Sequence, residues 1–146
     1  MKKQIIGTLA IFSLLFALAV VSVQAQKVSR ITAHVPFTFQ LGDKTLPAGD
    51  YNIKRLSQNA LVIEDASGET SVIAQAPGRV ESNAKQARER LVFRQYGDQY
   101  FLAQVWMDRS GAGRELNMTN AERAAANEYK LAQHGAKAQV VEIPAR

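Results

Sequence analysis

The sequence predicts a mainly β fold: an antiparallel meander of about six strands forming a small barrel or sandwich, with one C-terminal α-helix packed on it. Three observations predict it. Short runs alternate apolar and polar side chains with a period of two, the signature of half-buried strands. Pairs of such runs are joined by three- or four-residue connections that contain glycine, as hairpins require. A single stretch rich in alanine and other helix formers follows Thr119. The composition, 47% apolar and 21% charged, is that of a globular protein and excludes wholesale disorder, collagen and mucin-like stalks. The absence of cysteine excludes thiol catalysis, Cys-type zinc sites and disulfide frameworks.

The chain of 146 residues opens with what reads as a removable export signal over residues 1–25. Lys2 and Lys3 give a positive start, residues 5–23 carry no charge, and Val23-Gln24-Ala25 offers the small side chains a signal peptidase needs. An apolar run of 19 residues is also long enough to span a bilayer core of about 30 Å. The abrupt polar turn over residues 26–30 favours cleavage, so no stable membrane span is expected after signal removal. No cysteine follows the run and no Arg-Arg pair precedes it, which excludes a lipoprotein anchor and favours the general secretion route. The expected location is periplasmic or secreted. Cleavage leaves residues 26–146 as a single β-rich domain, whose net charge falls from +5 to +3. That balance is too mild to point to nucleic acid, and the chain lacks the Gly-rich loops that cradle nucleotide phosphates. No cofactor is expected.

Along this domain, residues 34–40 form the first predicted strand, with Val35, Phe37 and Phe39 on one face and Pro36 confining it to an edge. Gly42-Asp43 turns the chain. Leu46-Pro47-Ala48-Gly49 then feeds a strand over residues 50–55. Residues 60–65 and 70–76 flank a turn with Gly68; residues 90–96 and 100–107 flank one with Gly97. Between the hairpins, residues 77–89 are polar and aperiodic and read as a mobile loop, with room for one helical turn over 84–88. The strand over 100–107 is apolar on both faces, with Phe101, Ala103, Val105 and Met107 on one side and Tyr100, Leu102 and Trp106 on the other, so both must be covered. The cover is a helix over residues 119–134. Thr119 and Glu122 form a capping box, His134-Gly135 ends the helix, and Ala121, Ala124, Ala125, Leu131 and Ala132 make a shallow docking stripe. Residues 111–114 read as a flexible connection before it, and Val140, Val141 and Ile143 as a terminal strand.

Four segments together resemble a known group. Val35-Pro36-Phe37-Thr38-Phe39, Leu46-Pro47-Ala48-Gly49-Asp50-Tyr51, the run from Leu91 to Leu102, and Gly113-Arg114-Glu115-Leu116 stand in the order seen in a group of small exported β-rich proteins of soil bacteria with no assigned activity. The resemblance covers nearly all of residues 26–146. It implies export and a β-rich fold, and it assigns no catalytic residue.

Candidate chemistry is sparse. His34, on the polar face of a strand, and His134, at a helix end, are explained by exposure and by the helix dipole. Neither a Gly-x-Ser-x-Gly elbow nor a His-Glu-x-x-His pair is present, so no enzyme is expected; carboxylate-only glycosidase chemistry would need two facing carboxylates about 5–9.5 Å apart. No metal site is expected, because Asp43, Asp65, Asp98 and Asp108 all stand at turns, where aspartate bonds its own backbone. Arg79, Lys85, Arg88 and Arg90 offer a basic patch for anionic lipid, lipopolysaccharide or a polyanionic glycan, or else a solvated loop paired with Glu81 and Glu89. Tyr96, Tyr100 and Trp106 either line a ligand cavity or belong to the core. The expected function is therefore non-enzymatic binding or scaffolding in the envelope or exterior, with an envelope protein, a glycan or a lipid as partner. The alternative is a carrier that holds a small hydrophobic ligand in a β-barrel cavity.

Overall fold

A computed structural model describes residues 29–82 and 88–146. The expected export signal and Lys85 lie outside the described residues. The elements in chain order are β1 (Arg30–Val35), β2 (Phe39–Leu41), β3 (Lys44–Leu46), β4 (Gly49–Arg55), β5 (Ala60–Asp65), β6 (Ser71–Gln75), β7 (Gly78–Glu81), β8 (Arg90–Tyr96), β9 (Gln99–Trp106), β10 (Ala112–Glu115), the helix α1 (Asn120–Ala132) and β11 (Gln139–Pro144). Among the described residues no helix is long and apolar enough to cross a membrane.

The strands form two sheets, ordered β1-β4-β5-β6 and β11-β8-β9-β10-β7, with the β2–β3 hairpin joined to the second where Gln40 pairs parallel to Phe101. They are layered as a sandwich and do not close into a barrel. The alternation read from the sequence places the core between them. Val35, Phe39, Leu41, Ile53, Leu61, Ile63, Leu91, Phe93 and Val105 are fully buried, each side chain of that size contributing about 1.5–3 kcal/mol. Phe39 meets Tyr51 and Phe93 edge to face at 5.2 and 5.3 Å.

Several expectations are corrected. Residues 34–40 are not one strand: β1 ends at Val35, and β2 begins at Phe39 in the other sheet. Pro36, without an N–H for the ladder, stands where the chain changes sheets. More strands form than the six expected, and β1 pairs β4 rather than its sequence neighbour. Part of the expected loop over 77–89 is β7, paired antiparallel with β10 in the segment expected to be a flexible connection. Gly78 and Gly113 permit this, since a Cβ at Gly113 would lie 2.7 Å from two ring carbons of Trp106 and one at Gly78 would lie 2.9 Å from the Glu115 Cβ.

In β9 both faces are buried as expected, but their membership differs. The register slips between Val92 opposite Gln104 and Phe93 opposite Leu102, leaving Ala103 as a bulge. Val105 and Met107 thereby join Leu102 in the core between the sheets, while Phe101 packs outward with Tyr96 and Ala125. The bulged Ala103 carbonyl accepts the Leu116 N–H at 2.8 Å.

The two margins of the sandwich differ. On one, the last residues stitch the sheets together: Thr32 N–H donates to the Arg146 carbonyl at 2.7 Å, Arg146 N–H returns to Thr32 at 3.0 Å, and Ala33 pairs with Ala145. On the other, β6 ends its sheet and β3 ends its branch of the second, with no strand between them among the described residues.

Candidate functional site

The open margin holds a groove, a concavity of about 480 Å³. The whole of β6 forms one wall, the β2–β3 turn at Leu41, Gly42, Asp43 and Lys44 the other, and Leu116, Asn117 and Thr119 the floor. Hydrogen bonding fixes which groups of β6 face it. Ala76 N–H donates to Asn59 at 2.8 Å and Thr70 accepts from Asp65 at 3.0 Å, so the even-numbered residues direct their backbone toward β5. Alternation turns the N–H and C=O of Ser71, Ile73 and Gln75 toward the free edge. Edge strands are ordinarily guarded by charge, proline or a bulge. β6 reads Ser-Val-Ile-Ala-Gln, with no charge, and leaves Ile73 61% exposed. By contrast β7 carries Arg79 and Glu81 at its edge, and β3 carries Lys44. Sequence reasoning placed β6 correctly but gave no sign that it ends a sheet, because edge position is decided by long-range pairing.

Beneath α1 lies a buried polar cluster. Glu122 is 2% exposed and meets Arg94 Nε at 2.6 Å, while Arg94 Nη1 reaches Glu115 at 3.3 Å and the Tyr96 hydroxyl donates to Glu122 at 3.3 Å. Burial works against the Arg94 charge, but the hydrogen bond from Arg94 to Glu122 and the surrounding negative charge outweigh it and hold the guanidinium above its ordinary value. Burial, then the Glu122 charge, raises the Tyr96 phenol. Half of the expected capping box forms: Thr119 Oγ1 accepts the Glu122 N–H at 3.1 Å, but the Glu122 carboxylate turns inward to Arg94 instead of back to the cap. The docked face of the helix is consequently Glu122, Ala125, Ala126 and Tyr129, whereas Ala121, Ala124, Leu131 and Ala132 of the expected stripe are exposed.

The three aromatic candidates occupy different surroundings. Tyr100 stacks on Phe37 with centroids 3.9 Å apart, Tyr96 packs under the helix against Tyr129, and Trp106 lies beneath the Arg90 guanidinium, 4.2 Å from its ring centroid. Of the basic candidates, Arg79 pairs with Glu81 at 3.1 Å on β7, Arg88 is exposed, and Arg90 is largely buried over Trp106 with Glu142 at 3.5 Å. β8 and β7 are separated by β9 and β10, so Arg90 and Arg79 do not form one surface. Arg79 instead shares a small concavity of about 200 Å³ with Arg55, Arg114 and Asp108, which sequence spacing could not reveal. His34 pairs with Asp50 at 2.8 Å in the open. Among the described residues no three His, Asp or Glu side chains gather into a possible metal site.

No family model, curated protein or solved structure matches this chain.

Proposed function

We propose that this chain is an exported, non-enzymatic β-domain of the bacterial envelope or exterior, and that it acts by binding or scaffolding at the open margin beside β6. The observation that carries this reading is the coincidence of a groove of about 480 Å³ with an unguarded strand edge. An edge of unpaired backbone groups beside apolar side chains is the arrangement by which sheets take up an extended segment, the main chain supplying affinity and the side-chain pockets specificity. The side chains that fill the space between the sheets support this reading over a carrier with a hollow barrel.

Two measurements test it. A photo-crosslinking residue at Ser71, in cells that make the full chain, is expected to give covalent adducts that mass spectrometry identifies, whereas one at Asn127 on the outer face of α1 gives none. Fractionation is expected to find the chain, without residues 1–25, outside the cytosol. Absence of adducts at Ser71 would remove the binding site, and a full-length cytosolic product would remove the assignment to the envelope or exterior.

A further inference from the structure

We infer that the partner taken up at this margin is a second copy of this chain, with β6 paired antiparallel to its own counterpart about a two-fold axis at Ile73. This rests on the binding reading above and names the occupant. The edge is self-complementary under that rotation: Ile73 meets Ile73, Val72 meets Ala74, and Ser71 meets Gln75. Ser71, Ile73 and Gln75 present their N–H and C=O groups outward, and in this register each faces a counterpart that does the same. The two copies would thus exchange six backbone hydrogen bonds and leave none of these groups unpaired. Side-chain alternation also survives the pairing. Residues directly opposite project to the same side, so the two exposed Ile73 side chains cover one another outside. Val72 and Ala74 of the second copy face inward over the groove, where Leu41 and Leu116 form the apolar lining.

Charge selects the same edge. A two-fold axis sets a group that lies on it against itself, so a charged side chain at the centre of such a contact opposes its own copy. The segment over residues 70–76 carries none. The corresponding contact at β3 would bring Lys44 close to its own copy, and at β7 an axis at Val80 would set Arg79 against Glu81, which only exchanges the ion pair those two already make within the strand at 3.1 Å. An uncharged edge also gives an unrelated partner little pattern to recognise; the pattern it does have is palindromic. The contact is isologous, so it closes at two copies.

The test uses the full chain, expressed with its N-terminal segment and purified. Sedimentation velocity is expected to show a dimer whose fraction rises with concentration. Ile73→Lys should weaken self-association about tenfold or more by opposing two ammonium groups across the axis. Because Ile73 is 61% exposed, its far-UV circular dichroism should be unchanged. The chain has no cysteine, so Ile73→Cys supplies a lone thiol whose Cα lies about 5.5 Å from its counterpart in a hydrogen-bonded pair. A short bis-maleimide should then link two chains. Glu69→Cys should not be linked, since its two copies stand eight residues apart along the joined ladder, about 27 Å. A monomer at all concentrations, a dimer indifferent to Ile73→Lys, or failure of Ile73→Cys to crosslink would each overturn the inference. If Ser71 adducts in cells then identify a different protein, the binding reading stands and only the identity of the partner falls; if they identify nothing, both fall.

Discussion

At Glu122 two local rules compete for one side chain. As the third residue after Thr119 it fits a capping box, yet its carboxylate is drawn inward because Arg94 would otherwise be half-buried without a full counter-charge. Sequence spacing displays the first rule and conceals the second, since Arg94 lies 28 positions away on another element. Glu122→Ala should cost about 2–4 kcal/mol, read as a lowered urea midpoint, because it leaves the half-buried guanidinium with Glu115 as its remaining counter-charge. The double variant Arg94→Met with Glu122→Leu should cost less than Glu122→Ala alone. Gly113 makes the opposite point about crowding. Its added methyl in Gly113→Ala would meet the Trp106 ring at 2.7 Å and Val80 Cγ2 at 2.9 Å, so overpacking should destabilise by about 1–3 kcal/mol and alter Trp106 fluorescence.

Among the elements, legibility followed the strength of the periodic signal. The β5–β6 and β8–β9 hairpins are plain in the sequence because apolar alternation and turn glycines agree, and Gly68 and Gly97 do adopt positive φ, +76° and +62°. β7 and β10 are invisible because Gly78-Arg79-Val80-Glu81 and Ala112-Gly113-Arg114-Glu115 contain too few apolar side chains to show a period; their pairing is enforced by neighbours. The helix was recognisable, but an alanine-rich surface says little about direction, and the face that docks is set by Glu122 and Tyr129. Two substitutions separate these contributions. Thr119→Ala removes the acceptor of the Glu122 N–H and should cost about 1 kcal/mol in thermal or urea unfolding. Leu131→Glu, at a position 83% exposed, should change stability by no more than about 0.5 kcal/mol, against the larger loss a docked leucine would give.

For the molecule as a whole, a mainly β fold with one C-terminal helix followed from the sequence, while the choice of sandwich over barrel did not, because closure depends on which strands become edges. Stability should fall at both extremes of pH. Burial pushes the Asp65 carboxyl up, but hydrogen bonds from Thr70, Ser67 and Gly68 outweigh it; Asp108 is held down chiefly by Ser110, with help from Arg55. Both lie below the ordinary 3.8, so their stabilisation is present above that value and is lost as pH drops through the lower folded ones. Tyr51 and Tyr96 are raised above 10.0, first by burial and then by Asp65 and Glu122 respectively. Their contribution is present below 10.0 and is lost as pH climbs through the higher folded values. A melting-temperature profile should therefore show a plateau with two descending limbs, the acid one flattened by Asp65→Asn with Asp108→Asn and the alkaline one by Tyr96→Phe. The stitched margin carries a separate consequence for how the chain is made. Thr32 and Arg146 lie at opposite ends of the described residues, yet each holds the other's backbone. A growing chain must carry a bare β1 flank until Ala145 and Arg146 have been made, and a product cut short before them would expose a second sticky rim that the folded chain covers.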